Sequence, residues 1–229
     1  MSSASEARRL LRSHRYGALS TLSKKLDGFP FGSITPYLVD HDGSLLILIS
    51  ALAEHSKNIR HDPRVSLITH NQSDPRIQMQ GRVTVAGHAQ QLPDQQQAVA
   101  RYLRHFPEAS DLLTLDFAFY RIRPVAIRYI GGVGRIHWLN LDNYLAPHAA
   151  YFAQNEEKIL NKINTQQTST LRDLLSRHGM EASDAQLIGL DCDGLSFLAN
   201  EQFWRLDFAE TLNDLSQLDS LHSLQYQQP

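Results

Sequence analysis

The stretch LAEHSKNIRHDPRVSLI, Leu52 to Ile68, sets Ser56 and Lys57 between two histidines, His55 and His61. Two chemistries are open to such a set. A metal ion needs converging ligands, and on a helix that means spacings of i,i+3 or i,i+4. His55 and His61 are six apart, which turns one roughly 240° from the other. They cannot close on one ion, and with no HExxH pattern and no cysteine pair they read as solvated surface imidazoles. An anion is better served. The apolar run SLLILIS ends just before, so a helix starting soon after it presents amide N–H groups and partial positive charge. Ser56 adds a hydroxyl donor and Lys57 a full charge. A phosphate suits this set; a solvent-facing charged connector is the alternative that the spacing leaves open.

Other chemistry-bearing residues carry less. Cys192, the single cysteine, sits in LDCDGL between two acids that disfavour its thiolate, and it excludes an internal disulfide. The glycines of GGVG (Gly131, Gly132, Gly134) are followed by the strand-like RIHWLN, not by a helix, so they lack the dinucleotide-binding context. No G-x-S-x-G elbow is present. Tyr129, Trp138, Phe203 and Trp204 read most simply as core or interface aromatics.

These residues need elements to position them. SASEARRLLRSH puts Ala7, Leu10 and Leu11 on one helical face, with Ser3 as N-cap and Glu6 completing a capping box. From Gly17 the texture becomes antiparallel sheet: ALSTLS, GSITPYLVD, SLLILIS, RVSLITH and GRVTVAGHAQQL are short runs separated by turn chemistry such as DGFP and DHDG. DQQQAVARYLRHFP returns to helical spacing and stops before Pro107. FAFYRIRPVAIRYIGGVGRIHWLN resumes strand, with a bend at Pro124. A first domain of residues 1–142 closes there. In residues 143–229, YFAQNEEKILNKINTQ and TSTLRDLLSRHG are amphipathic helices, the second capped by Thr168 or Ser169 and stopped by Gly179. Three short strands follow, turning at Asp193-Gly194 and Asn200-Glu201, and then a helix from Thr211 to about Gln225, making a small α+β domain.

Bulk properties exclude several classes. With 229 residues and 42% hydrophobic composition the chain can bury a proper core. Lysine and arginine total 22 against 24 acids, so no global field holds a polyanion, and nucleic acid is not an expected partner. The N-terminus lacks the apolar core of a signal peptide, and no run approaches the ~20 apolar residues of a membrane span. The expectation is a soluble, cytoplasmic protein without a membrane partner.

Taken in order, GSITPYLVDHDGSLLILIS, AEHSKNIRHDPRVSLI and GRVTVAGHAQQL resemble the FMN-binding split barrel of the pyridoxamine 5′-phosphate oxidase-related family. The resemblance is strongest to its heme-utilisation branch, whose barrel carries an extra C-terminal α+β domain. It implies a six-stranded antiparallel split barrel, a homodimer with its ligand site between subunits, and bound FMN with a small-molecule redox substrate. Carried over by position, Ser56 and Lys57 match the pair that holds the FMN phosphate. Ser33, Ile34, Thr35 and Pro36 match the strand along which the flavin lies, Ile49 and Ser50 the next strand, and Arg82 a cofactor-facing position beyond. Chemistry agrees, since a phosphate wants Lys or Arg plus hydroxyl donors. GSITPY stands where the oxidase proper has an arginine-rich strand, which points away from vitamin-B6 oxidation. The expected function is a flavin-dependent oxidoreductase. Heme binding or degradation on the same scaffold is the alternative, with His88 and His137 as candidate iron ligands and no other metal implied. A non-catalytic binding module is the third reading.

Overall fold

A computed structural model describes residues 2–71, 76–93, 96–145 and 148–214. The chain divides into two compact units, residues 1–145 and 146–229; the division falls three residues beyond the expected one.

The first unit opens with α1 (Ser3–Arg12). Its cap is Ser2, not Ser3: the Ser2 hydroxyl accepts from the Ser5 N–H at 3.2 Å. That places Glu6 one position past a capping box, where it pairs with Arg135 instead. Ala7 and Leu11 are fully buried. The strands follow as β1 (Tyr16–Leu22), β2 (Pro30–Pro36), β3 (Leu38–Val39), β4 (Leu45–Ser50), β5 (Arg64–His70), β6 (Arg82–Gln91), β7 (Phe117–Ile130) and β8 (Ile136–Leu139). Helix α2 (Glu54–His61) joins β4 to β5, α3 (Gln96–His105) lies between β6 and β7, and α4 (Leu141–Tyr144) closes the unit. A 3-10 helix over Pro107–Thr114, not foreseen from the pattern, links α3 to β7.

Every pairing is antiparallel, in the order β2-β1-β5-β6-β7-β4-β3, with β8 on the free side of β7. β2 approaches β4 without pairing to it. Six long strands and two short ones thus make the split barrel. Alternate residues fill its interior, among them Leu19, Leu67, Val83, Val85, Ile122 and Ile127. β4 departs from alternation because both its faces are covered: Leu45, Ile47 and Ile49 face the barrel core, while Leu46 and Leu48 cluster with Tyr102 of α3, with Phe106 just after it and with Phe119. β7 runs through Pro124 with a bulge, in which Ala86 opposes Ala126 and Gly87 opposes Pro124, leaving Val125 unpaired.

The registers define two ends. One carries the β1–β2 turn, α2, and the junctions of β4 and β7 around Ser50 and Phe117; the other carries Tyr16, His70, Arg82 and Ile130.

The second unit holds α5 (Ala149–Gln166), α6 (Thr168–Arg177) and the strands β9 (Gln186–Asp191), β10 (Gly194–Ala199) and β11 (Gln202–Asp207), ordered β11-β10-β9. Neither Thr168 nor Ser169 caps α6. Gln167 occupies the cap position, and the Thr168 hydroxyl donates back to the Asn164 carbonyl at 3.1 Å. Gly179, at φ +76°, ends the helix as expected, with the Met180 N–H reaching the Leu175 carbonyl. Asn200 and Glu201 take positive φ in the expected hairpin turn. Of the terminal helix, residues 211–214 are non-helical and the rest lies outside the described residues.

Candidate functional site

Helix α2 is amphipathic in an unusual way, because its inward face is polar. Ser56 and Asn58 are fully buried beside Ile59. The Asn58 amide donates to the Thr21 hydroxyl at 3.0 Å, and its carbonyl oxygen accepts the Lys24 N–H at 3.0 Å. One side chain thereby pins the β1–β2 turn to the helix. The turn itself is tied by Ser23 N–H to the Phe29 carbonyl, Gly28 N–H to the Ser23 carbonyl, and Leu26 N–H to the Ser23 hydroxyl.

The two elements held together enclose a cleft of about 650 Å³, lined by Lys24 and Lys25 from the turn and by Glu54, Lys57, Arg60 and His61 from the helix flank. Four permanent cations face one carboxylate. Lys57 Nζ lies 3.7 Å from Glu54 Oε2, and Arg60 donates to the Ala51 carbonyl at 3.0 Å. In a chain of formal charge −2, so local an excess of cations has the charge to suit an anion.

The structure separates the residues expected to share one site. Lys57 lines the cleft, but Ser56 does not add its hydroxyl proton there, since Ser56 Oγ donates to the Ser50 carbonyl at 2.6 Å. The Ser50 hydroxyl is likewise engaged by Asp116 at 2.7 Å, and Ile49 is packed in the core. On β2, Ser33 and Thr35 share the inward side with Leu19 and Gly17, whereas Ile34 and Pro36 face outward. Thr35 is buried with its hydroxyl on the Pro36 carbonyl, and Ser33 reaches the Leu19 carbonyl at 3.5 Å. Arg82 stands at the opposite end of the barrel, opposite His70, while Arg64 opposes His88. That span of β5 puts about 20 Å between the two ends at about 3.3 Å per residue. Within one copy, Arg82 does not reach the cleft of Lys57.

The heme-ligand candidates also diverge. His88 lies on the outward side of β6, and His137, opposite the inward-facing Tyr129, takes the other side of the sheet. Both are exposed. His55, set aside as a surface imidazole, is half buried; burial pulls its pKa below the usual histidine value, and its Nε2 has no hydrogen-bond partner. A metal-capable group in the second unit, Asp191, Cys192 and Asp193, has its ligand atoms within 4.8 Å of one another. Its charges are already answered: Arg205 donates to Asp191 at 2.9 and 3.0 Å, and Thr211 to Asp193 at 2.8 Å. The sequence reading missed Lys24, Lys25 and Arg60. The signal was a lysine pair beside a turn, whose partner helix is distant in the chain and is joined to it by the pairing of β1 with β5 and by Asn58.

An antiparallel barrel split along one side, with a cationic cleft between its first hairpin and its inter-strand helix, defines a split-barrel protein. Residues 3–131 match the family model described as pyridoxamine 5′-phosphate oxidase, and the chain belongs to that family. It is 29% identical over 203 residues to the non-canonical heme oxygenase HOZ, chloroplastic, of Arabidopsis thaliana, covering 86% of this chain and 62% of that protein. The chain therefore spans less than two thirds of that relative's length. Among solved structures, a protein of unknown function from Agrobacterium tumefaciens matches at a TM-score of 0.74 and 24% identity, over 95% of this chain and 92% of that one. A heme binding protein from Mycobacterium smegmatis matches at 0.59 and 25% identity, over 95% and 93%. These likenesses run through both units, so the second unit is shared with such relatives and not peculiar to this chain.

Proposed function

We propose that the protein binds heme and serves in heme utilisation. The observation that carries this reading is the likeness, along most of the chain, to two proteins named for heme. The residues fit part of the group. Heme presents two carboxylates and a wide apolar ring; Lys24, Lys25, Lys57 and Arg60 suit the carboxylates. When bound, heme supplies an iron centre for redox chemistry. The chain's own residues hold and orient: Lys57 and Arg60 attract the anionic edge, Asn58 fixes the opposite wall, and Glu54 moderates the charge of Lys57. His88 and His137 remain the candidate imidazoles. Because they lie on opposite sides of the sheet, one copy offers a given ring one of them at most.

The second reading is flavin binding, and the cleft favours it. Its cations suit a phosphomonoester, so FMN would sit with its phosphate at Lys57 and Arg60. Arg82 would then have to come from a second copy. The outward side of the sheet supports a homodimer as part of this reading: there the cross-strand row Ile34, Ala18, Ile68, Thr84, Arg128, Trp138 ends in two residues each 67% exposed. Arg128 lies 5.0 Å over the Trp138 ring. Sedimentation velocity should give a dimer that Ile34→Asp splits.

Titration of the purified protein with hemin and with FMN tests both ligand readings by absorption. A Soret band that weakens in His88→Ala or His137→Ala supports heme. Flavin binding that falls at least about tenfold in Lys57→Ala, without a Soret band, puts FMN first. If neither ligand binds at micromolar concentration, both readings fall.

A further inference from the structure

The end of the barrel that carries the cleft also projects apolar side chains into open solvent. At the tip of the β1–β2 turn Leu26 is 53% exposed and Phe29 69%, and on the same end Leu52, at the β4–α2 junction, is 74% exposed. These are not strays from a loose loop. Asp27 and Gly28 take positive φ, a Cβ added at Gly28 would meet nothing within 4 Å, and the turn is closed by the hydrogen bonds of Ser23, Gly28 and Phe29. Asn58 anchors the whole tip to α2. The protein thus exposes two apolar side chains on a hydrogen-bonded turn, with Lys24 and Lys25 preceding them in the chain and lining one cleft with Lys57 and Arg60. Asp27, Glu54 and Asp116, which accepts the Leu52 N–H at 3.1 Å, are the acids among them.

We propose that this end of the barrel docks on an anionic membrane surface, Leu26 and Phe29 entering the interfacial layer while Lys24 and Lys25, which precede them in the chain, meet lipid phosphates and carboxylates and Lys57 and Arg60 stay with the ligand of the cleft. The order of groups is what an interface demands: apolar at the apex, cationic at the shoulder, in a chain whose formal charge is otherwise near neutral. The occupant is an anionic bilayer because exposed apolar side chains adjoin lysines in the same turn. A folded partner would need an apolar surface complementary to isolated tips, whereas a lipid interface deforms around them. Among the described residues no helix is long and apolar enough to cross a membrane, so this is attachment and not spanning. The expectation of no membrane partner rested on spanning segments alone. The proposal rests on the shape and charge of this end, whichever ligand the cleft holds.

Co-sedimentation with phosphatidylcholine vesicles, with and without phosphatidylserine, tests it on the full chain. The protein should pellet only with the serine lipid and be released by salt. The double variant Leu26→Ser, Phe29→Ser keeps every cation and should bind about tenfold more weakly, while its hemin and FMN titrations match the parent. Three results overturn the proposal: no pelleting with anionic vesicles, pelleting unchanged by the double variant, or a self-association that the variant abolishes in the absence of lipid.

Discussion

At the scale of single residues the cleft is a balance of charge that one proton-sized change can tip. Glu54 lies i−3 to Lys57 on α2, and their contact at 3.7 Å is partly solvent-screened. Exposed pairs of this kind contribute about 0.2–1 kcal/mol, so Glu54→Gln should tighten phosphate or FMN binding by about two- to fivefold, read by calorimetry. A second carboxylate shapes acid stability. Asp40 loses solvation on burial, which alone would raise its pKa, yet Arg101 and Arg121 and the His41 N–H more than compensate and hold it below the usual carboxylate range. A depressed folded-state pKa means stability that is fully present above the ordinary value near pH 4 and lost as pH falls through the folded value. Urea unfolding at a series of pH values should show that acid-side slope, and Asp40→Asn should flatten it while costing about 2 kcal/mol at neutral pH.

At the scale of elements, two junctions should be intolerant. A Cβ on Gly87 would stand 2.3 Å from the Arg123 carbonyl oxygen, a backbone atom held by the β6–β7 bulge. Gly87→Ala is expected to cost about 2–3 kcal/mol, measured by urea denaturation. In the second unit, Arg205→Met would strand the buried Asp191 and should cost about 3–5 kcal/mol by the same measurement. These elements differ in how far they could be read in advance. β1, β5 and β6 declare themselves by alternation, and α3 by its spacing and Pro107, because one face is buried and the other is not. The 3-10 helix of Pro107–Thr114 gives no such signal; its apolar residues follow no single period. The cap of α1 lies one residue from the expected one because several serines compete at that start and backbone geometry chooses among them, whereas α6 starts at Gln167 with no side-chain cap and the Thr168 hydroxyl bonds back to Asn164. Lys57 was legible as a cation after a strand and before Asp-Pro. Its company was not, since Lys24 and Lys25 reach the same cleft through tertiary links, the pairing of β1 with β5 and the bonds of Asn58.

At the scale of the whole molecule, the last helix of the first unit belongs to the barrel. Tyr144 on α4 is fully buried in the barrel core, its hydroxyl donates to the Gly43 carbonyl at 3.0 Å, and its own carbonyl accepts from Arg8 at 3.2 Å. Composition and texture change near residue 142, which is why the boundary reads there in the sequence, but a buried ring two residues further on leaves no compositional mark. Tyr144 is a stopper, and its socket includes the ring's contact with Gly43. Residues 1–145 made alone should melt cooperatively, whereas residues 1–142 should lose about 3–5 kcal/mol, the usual cost of emptying a large aromatic site, by thermal denaturation. Exchange of second units between relatives therefore has to be spliced after Leu145, because a cut at the textural boundary uncorks the barrel it was meant to isolate.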